Sequence, residues 1–171
     1  MLLALTGMMG SGKSTVGALV ADALGCPLLD LDRVIEAREG RPIPEIFTAE
    51  GEAYFRDLEE RTLRDILRRR SDSKDGAPQA VLALGGGTAS IPGVAALLRE
   101  KTLCIYLRAA AGTLEERLAK ERDARPMLRQ AGIGELLEKR EKDYLAAAGL
   151  VLDTDGLSPS EIADEIIISC L

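Results

Sequence analysis

A glycine-rich segment near the amino terminus, residues 7–14, reads Gly-Met-Met-Gly-Ser-Gly-Lys-Ser and is called the phosphate loop below. It fits the pattern G-x-x-x-x-G-K-[ST] without substitution, between an apolar run and a helical pattern. Glycines let the backbone N–H groups turn towards phosphate oxygens, and the helix adds its positive end. Lys13 can reach the β- and γ-phosphates, and Ser14 can offer its hydroxyl to Mg²⁺. The segment predicts a nucleoside triphosphate site with these candidate contacts: Gly10, Ser11, Gly12, Lys13, Ser14 and Thr15.

Two acidic residues follow the second apolar run of the chain. Residues 27–31 predict a strand, and the sequence there ends in Asp30-Leu31-Asp32. If the strand continues, both carboxylates point to the same side of it. Asp30 is then expected to join the Mg²⁺ shell through water, because this cation usually keeps several waters. The alternative is a turn at the end of the strand, in which the aspartates cap a helix.

Strand-like apolar runs alternate with helical patterns along the rest of the chain. The predicted strands are residues 2–5, 27–31, 80–84, 103–107 and 150–152. Helical patterns cover about 44–70, with an interruption near Gly51, and 134–148. Strands of this apolar character, alternating with helices, predict an α/β fold with a parallel sheet covered on both sides. Ligands in such sheets bind beyond the carboxyl ends of the strands, and the polar motifs lie at those ends.

Two further helix starts carry the spacing of a capping box. Thr113 and Glu116 have it before one predicted helix, and Ser158 and Glu161 have it before the last. The second of these also has Pro159 at the first helical position, where proline is favoured. Helices are therefore predicted to begin after Thr113 and after Ser158.

Composition narrows the possible functions. A length of 171 residues favours a single domain. The net charge of −6 argues against nucleic-acid binding and against attachment to an anionic membrane. With no membrane-length apolar stretch and too short an N-terminal apolar run for a signal peptide, a cytoplasmic location is expected. The sequence contains no His, so catalysis must use carboxylates, Lys, Arg, backbone amides or a metal.

Four motifs, in order along the chain, resemble those of a known family. They are residues 7–15; residues 29–32 with Ile35-Glu36; residues 46–52 with Phe55-Arg56, ahead of residues 84–88; and Arg125-Pro126-Met127-Leu128, with Lys139-Arg140 and Tyr144 downstream. Through them the chain resembles the shikimate kinases over nearly its whole length. The resemblance implies a single domain with a three-layer α/β/α P-loop kinase fold and a five-stranded parallel sheet. It also implies a helical acceptor-binding segment at about 34–61 and a lid at about 108–132.

The reaction that this resemblance implies is transfer of the γ-phosphate of ATP to the 3-hydroxyl of shikimate, with Mg²⁺. That reaction is a step towards chorismate and the aromatic amino acids. Arg56 and Arg140 match the family's carboxylate-binding arginines, which agrees with the affinity of guanidinium groups for carboxylates. Asp32 matches the aspartate that binds the ring hydroxyls and orients or deprotonates the attacking one. Gly86 matches a backbone donor whose lack of a side chain lets the substrate approach closely.

Three residues are the candidate catalytic groups under this resemblance. Lys13 and Asp32 have the roles given above. Arg125 lies in Arg-Pro-Met-Leu, which resembles the family's lid motif, and the arginine there neutralises developing charge on the phosphates. The expected partners are therefore ATP and shikimate, and the resemblance also implies a monomer.

The loop after the last predicted strand, residues 153–159, resembles the family's adenine-binding loop. Leu157 stands there where some relatives have Arg, so adenine contacts would come from the backbone and from apolar surface. Arg117 lies in the charged segment before Arg125, where a solvated helix surface and a functional role such as a nucleotide contact both stay open.

Two alternatives stay open at this point. A related small kinase for gluconate or a nucleoside monophosphate would share the phosphate loop. It would lack the combination of Asp32, Arg56 and Arg140 with the three glycines at residues 85–87. A nucleotide-binding protein without catalysis is the second alternative, and the intact Lys13 argues against it, as do Ser14, Asp32 and Arg125.

Overall fold

A five-stranded parallel sheet forms the centre of the protein, whose computed structural model describes residues 1–69, 78–119 and 132–170. The strands are β1 (Leu2–Thr6), β2 (Leu28–Asp30), β3 (Ala80–Ala83), β4 (Thr102–Arg108) and β5 (Leu150–Asp153). Their order is β2-β3-β1-β4-β5, and every neighbouring pair is parallel. The predicted five-stranded parallel sheet is thereby confirmed. Since β1 lies at the middle of the sheet, the phosphate loop that follows it is central as well.

Helices cover both faces of this sheet. Within the described residues they are α1 (Lys13–Ala23), α2 (Leu31–Glu39), α3 (Ile43–Arg69), α4 (Val94–Lys101), α5 (Ala111–Ala119), α6 (Ile133–Ala147) and α7 (Pro159–Cys170). Alternate β1 residues enter different cores: Leu2 and Ala4 pack with α2, α3, α4 and α6, whereas Leu3 and Leu5 pack with α1 and α7. The period of two along a strand thus produces the three-layer arrangement.

The two predicted capping boxes had different outcomes. At α7 the prediction is confirmed: the Ser158 hydroxyl accepts from the Glu161 N–H at 3.3 Å, and Glu161 accepts from the Ser158 N–H at 2.8 Å. The prediction at Thr113 is wrong, because that residue lies inside α5. The carboxylate of Asp155 accepts from the Ala110 N–H at 3.1 Å and caps α5 from another loop. A distant acceptor therefore replaces the local one.

The long helix α3 is interrupted at Gly51, as the sequence predicted. Gly51 has φ 81° and ψ 175°, which lie outside the helical region and which a side chain would disfavour. The buried apolar side chains of the second half of α3 belong to the same core cluster as Leu2 and Ala4 of β1. None of the helices in the described part of the chain is long and apolar enough to cross a membrane.

Candidate active site

The phosphate loop curls between the end of β1 and the start of α1. Gly7, Gly10 and Gly12 have φ angles of 143°, 80° and 91°, values that residues with a side chain rarely adopt. Neighbouring groups also leave no space at the first two positions. A Cβ on Gly7 would lie 2.7 Å from the Leu107 carbonyl oxygen, and one on Gly10 would lie 2.9 Å from Leu118 Cγ. Backbone conformation therefore favours glycine at all three positions, and packing adds to this requirement at Gly7 and Gly10.

The ammonium group of Lys13 lies against the carbonyl side of the phosphate loop. It donates to the carbonyl oxygens of Gly7 at 2.8 Å and Met8 at 2.9 Å. Gly12 precedes α1 without a side-chain cap, and the first turn of α1 contains no acidic residue. This helix end therefore suits an anion. Of the residues predicted to contact the nucleotide, Arg125 lies outside the described residues, and the other six lie in the loop and this first turn: Gly10, Ser11, Gly12, Lys13, Ser14 and Thr15.

Ser14 and Asp30 form an exposed pair of oxygen ligands beside the phosphate loop. The Ser14 hydroxyl donates to Asp30 Oδ2 at 2.7 Å, and Asp30 Oδ1 accepts from the Arg33 N–H at 3.3 Å. Among the described residues no cluster of three or more potential metal-binding side chains occurs. Mg²⁺ is commonly held by one or two carboxylates together with waters and substrate phosphates. The pair fits such a cation.

The same-side arrangement expected for Asp30 and Asp32 depended on a strand that continues through both. The strand does not continue through both residues, because α2 begins at Leu31 and Asp30 is its N-cap. The capping alternative is correct for Asp30, whose side chain accepts from a first-turn N–H. Asp32 instead lies in the first turn of α2, and a helix rather than a strand determines its direction.

Asp32 lies beside residues 85–87, which are called the glycine turn below. A Cβ on Gly85 would lie 3.0 Å from Asp32 Oδ1 and 2.6 Å from Glu59 Oε1. Burial, together with the negative charges of Glu59 and Asp30, raises the pKa of Asp32 to about 6, and the nearby Lys13 opposes this shift. At neutral pH such a carboxyl group is mostly ionised and can accept a proton.

Arg56 lies over the last residue of the glycine turn. A Cβ on Gly87 would lie 2.6 Å from Arg56 Nη1, so a side chain there would displace the guanidinium group. Arg56 donates to Glu59 Oε2 at 2.6 Å and to Glu52 Oε1 at 3.3 Å. Glu59 is completely buried and also accepts a hydrogen bond from the Thr88 hydroxyl. The direction of the Arg56 guanidinium is therefore fixed by the carboxylate of Glu59, which burial and the bond from Thr88 hold in place.

Arg140 reaches the middle of the glycine turn from α6. Its Nη1 donates to the Gly86 carbonyl oxygen at 3.2 Å, and the Tyr144 hydroxyl donates to the same oxygen. A Cβ on Gly86 would lie 3.4 Å from the Met9 nitrogen and 3.8 Å from the Gly7 oxygen. Those are ordinary contact distances, so the protein's own packing does not require a glycine here. They also place the glycine turn directly against the phosphate loop.

Comparisons with known proteins agree on one family. A family model described as shikimate kinase matches residues 9–171. A shikimate kinase from Persephonella marina is 41% identical over 165 residues, which cover 95% of this chain and 94% of that protein. A solved shikimate kinase from Acinetobacter baumannii, in complex with shikimate, has a TM-score of 0.84 at 30% identity, covering 97% of this chain and 90% of its own.

This chain belongs to the shikimate kinase family. The predicted family, fold class and kinase activity are confirmed. The gluconate-kinase alternative is matched more weakly: a gluconokinase from Sinorhizobium meliloti has a TM-score of 0.60 at 21% identity, over 98% of this chain and 90% of its own. At that identity the similarity shows a shared fold alone.

One component of this kinase site was not identified from the sequence. The sequence alone does not single out Glu59, because it is one of several acidic residues along α3. The available signal was its spacing, since Glu59 lies three residues after Arg56 and shares a helix face with it. It also follows Leu58 within the apolar stripe of α3, where a carboxylate needs a partner.

Two arginines before α6, Arg117 and Arg125, differ in whether the structure describes them. Arg117 is half-buried and donates to the Thr154 carbonyl oxygen at 2.8 Å and to its hydroxyl at 3.3 Å. Of the two interpretations left open for Arg117, the solvated surface is wrong, because Arg117 connects α5 to the loop after β5. Arg125, the predicted lid arginine, lies outside the described residues, as do all residues from 120 to 131 of the predicted lid at about 108–132.

Proposed function

We propose that the residues around the glycine turn and the phosphate loop transfer the γ-phosphate of ATP to the 3-hydroxyl of shikimate. The main support is the contact between the two groups of residues. Arg56, Arg140 and Asp32 meet at the glycine turn, and a Cβ on Gly86 would lie within 4 Å of phosphate-loop backbone atoms. An acceptor held by the first group would lie next to a phosphate held by the second. That proximity is what in-line phosphoryl transfer requires.

The nucleotide side of the site consists of the phosphate loop, the start of α1, Asp30 and Arg125. The phosphate-loop N–H groups and the start of α1 bind the triphosphate, and Lys13 exchanges its loop carbonyls for the β- and γ-phosphates. Ser14 and Asp30 hold Mg²⁺, Asp30 through water. When bound, the cation neutralises charge on the phosphate oxygens. Arg125 keeps its predicted role at the transferring phosphate.

The acceptor side has two chemically distinct parts. Arg56 and Arg140 supply guanidinium groups for the shikimate carboxylate, as the pairing geometry of these groups favours. Asp32 accepts the proton of the 3-hydroxyl group of shikimate while the oxygen of that hydroxyl attacks the γ-phosphorus. ADP departs with the oxygen that bridged the β- and γ-phosphates. The Acinetobacter baumannii relative was solved in complex with shikimate, which supports the same acceptor for this chain.

The remaining assignments concern the chain as a whole. Residues at about 34–61, which include Arg56, cover the acceptor, and residues at about 108–132 cover ATP. The residues assigned to both substrates come from one chain, which supports action as a monomer. Light scattering coupled to gel filtration tests that assignment. A cytoplasmic location is proposed because ATP, the proposed phosphate donor, is available there.

A coupled assay of ADP release tests the proposed reaction. Mg-ATP is offered with shikimate, gluconate, CMP or AMP, and turnover is expected with shikimate alone. The variant Arg140→Ala is expected to raise the KM for shikimate much more than the KM for ATP. Equal effects on both constants would contradict the carboxylate assignment. Binding of ATP without turnover of shikimate would contradict the assignment of shikimate as the phosphate acceptor.

A further inference from the structure

The hydroxyl of Tyr144 contacts the glycine turn, although Tyr144 has no assigned part in the proposed reaction. Tyr144 is completely buried in α6, with its hydroxyl hydrogen bonded to the Gly86 carbonyl oxygen. Its oxygen also lies 3.6 Å from Met8 Sδ in the phosphate loop, a weaker acceptor. One side chain thus contacts both the glycine turn and the phosphate loop. Burial raises the pKa of Tyr144 to about 12, so the hydroxyl keeps its proton throughout the neutral range.

The Gly86 carbonyl oxygen receives two donors from the same face of α6. Arg140 and Tyr144 are four residues apart and therefore lie one above the other on the helix. All described peptide bonds are trans, so fixing the Gly86 carbonyl also fixes the opposite direction of the Gly87 N–H. Among the described residues this N–H has no acceptor. The Thr88 N–H closes the turn by donating to the Gly85 carbonyl oxygen at 3.2 Å, but this bond does not involve the peptide between Gly86 and Gly87. Glycine on both sides makes a flip of that peptide sterically easy.

The two donors are not equivalent once the acceptor binds. Under the proposed function, on which this inference rests, the Arg140 guanidinium turns to the shikimate carboxylate. Its bond to Gly86, already 3.2 Å long, is then weakened or lost. The shorter bond from Tyr144 does not involve any group assigned to a substrate. Tyr144 is therefore the donor that remains on the Gly86 carbonyl oxygen in the loaded enzyme.

The geometry points to Tyr144 as a positioning residue, whose hydroxyl holds the glycine turn in its acceptor-binding conformation when Arg140 is engaged by substrate. It acts through Gly86 and touches no reacting atom. Its effect should therefore appear in the binding of shikimate, with little effect on ATP.

The chain contains a matched control for the variant Tyr144→Phe. Tyr106, on β4, is also buried, and its ring centroid lies 5.1 Å from that of Tyr144. Its hydroxyl has no hydrogen-bond partner among the described residues. Tyr106→Phe therefore removes the same atom from the same aromatic pair without removing a described bond. Loss of an unpaired buried hydroxyl is expected to be neutral or stabilising.

Steady-state kinetics of wild type and both variants test the proposal. Tyr144→Phe should raise the KM for shikimate about tenfold, and change the KM for ATP less than about twofold, which is the scale of one lost hydrogen bond. Tyr106→Phe should change neither constant. A merely structural role would lower kcat through loss of folded enzyme and leave both KM values unchanged. That result, or an equal rise in both KM values, would overturn the proposal.

A second measurement does not depend on activity. With glycine carbonyls labelled with ¹³C, the Gly86 signal should move in Tyr144→Phe and stay in place in Tyr106→Phe. An unmoved signal in Tyr144→Phe would overturn the proposal even in an active enzyme. If the Gly86 signal moves in Tyr144→Phe but the wild-type protein does not turn over shikimate, the contact between Tyr144 and Gly86 is supported. The proposed function is then contradicted instead.

A third measurement covers the case in which Tyr144→Phe does not fold. The wild-type sequence is prepared with 3-fluorotyrosine, whose hydroxyl is more acidic and donates more strongly. Of the three tyrosines, only Tyr144 donates to Gly86 in the described structure. The Gly86 carbonyl signal should therefore shift and the KM for shikimate should not rise. An unchanged carbonyl signal would overturn the proposal.

Discussion

The buried carboxylate of Glu59 lies 2.6 Å from the guanidinium group of Arg56. The two side chains differ in exposure: about a quarter of the Arg56 side chain is accessible, whereas that of Glu59 is almost entirely covered. Arg56 also has an exposed partner, Glu52, at 3.3 Å. The buried partner therefore determines where the guanidinium points, and the exposed partner contributes little because solvent screens it.

Glu59→Gln should weaken shikimate binding through Arg56. The amide keeps the shape of the carboxylate but loses the charge that orients the guanidinium, so the KM for shikimate is expected to rise about tenfold. Glu52→Gln is the matched control on the same arginine and should stay within about twofold. Initial rates at saturating ATP provide the measurement. Equal KM values for the two variants would show that Glu59 does not orient Arg56.

The pH dependence of the reaction should follow the titration of Asp32. Because the pKa of Asp32 is raised to about 6 by burial and by Glu59, kcat/KM for shikimate should fall as the pH drops below that value. Glu59→Gln removes one of the charges responsible and should move the midpoint to lower pH, whereas Glu52→Gln should not move it. A profile that is flat between about pH 5 and 7 would exclude Asp32 as the proton acceptor.

The same raised pKa predicts a stability cost of the active site. The folded state holds the Asp32 proton up to about pH 6, above the ordinary value of 3.8, so stability from this group is lost as the pH rises through that interval. Asp32→Asn removes the loss and should be more stable than wild type by about 2 kcal/mol near pH 7.5.

Urea unfolding of Asp32→Asn and wild type at two pH values measures that gain. The difference should shrink as the pH falls from about 7.5 to about 5, while the variant is inactive at both values. A difference that is independent of pH would mean that the gain comes from packing rather than from the charge of Asp32.

Local motifs and hydrophobic patterning predicted much of this fold. The phosphate loop was identified because its glycines are required within one short segment, as the positive φ of Gly7 and Gly10 shows. The sheet was identified because its strands are apolar on both faces. Hydrogen bonds between distant segments were not predictable in this way. Asp155 replaces Thr113 as the cap of α5, and no local pattern indicates which loop will supply a cap.

The candidate site shows the same division between local and distant effects. Arg56, Arg140 and Gly86 were assigned through a resemblance, and the structure brings them together at the glycine turn. The carboxylate that orients Arg56 was not predicted, because Glu59 is one of several acidic residues along α3 and its spacing from Arg56 alone does not show that it is buried. The same-side argument for Asp30 and Asp32 failed because it assumed the period of a strand where a helix begins.

The glycine turn should respond differently to alanine at each position. Gly87→Ala places a Cβ 2.6 Å from Arg56 Nη1, so the guanidinium must move and the KM for shikimate should rise at least about tenfold. Gly86→Ala meets only ordinary contacts in the protein, so its folding should be normal. Any loss of activity there would come from the approaching substrate. Gly112→Ala, in α5 with no atom within 4 Å of the new Cβ, is the control.

Thermal unfolding and kinetics of these three variants separate the causes. Gly86→Ala should keep the wild-type midpoint, and Gly112→Ala should gain up to about 1 kcal/mol from helix propensity with an unchanged KM for shikimate. A wild-type KM for shikimate in Gly87→Ala would contradict the role given to the Arg56 position.

Asp30→Asn separates two roles of one side chain. Asparagine caps helices about as well as aspartate, so the bond to the Arg33 N–H and the start of α2 should be kept, and the unfolding midpoint should change by less than about 2 °C. The variant loses the negative charge beside Ser14, however. The Mg²⁺ concentration that gives half-maximal activity should therefore rise about tenfold at saturating ATP, with an unchanged KM for shikimate. An unchanged Mg²⁺ requirement in a folded variant would leave Asp30 with capping as its function and remove it from the proposed metal site.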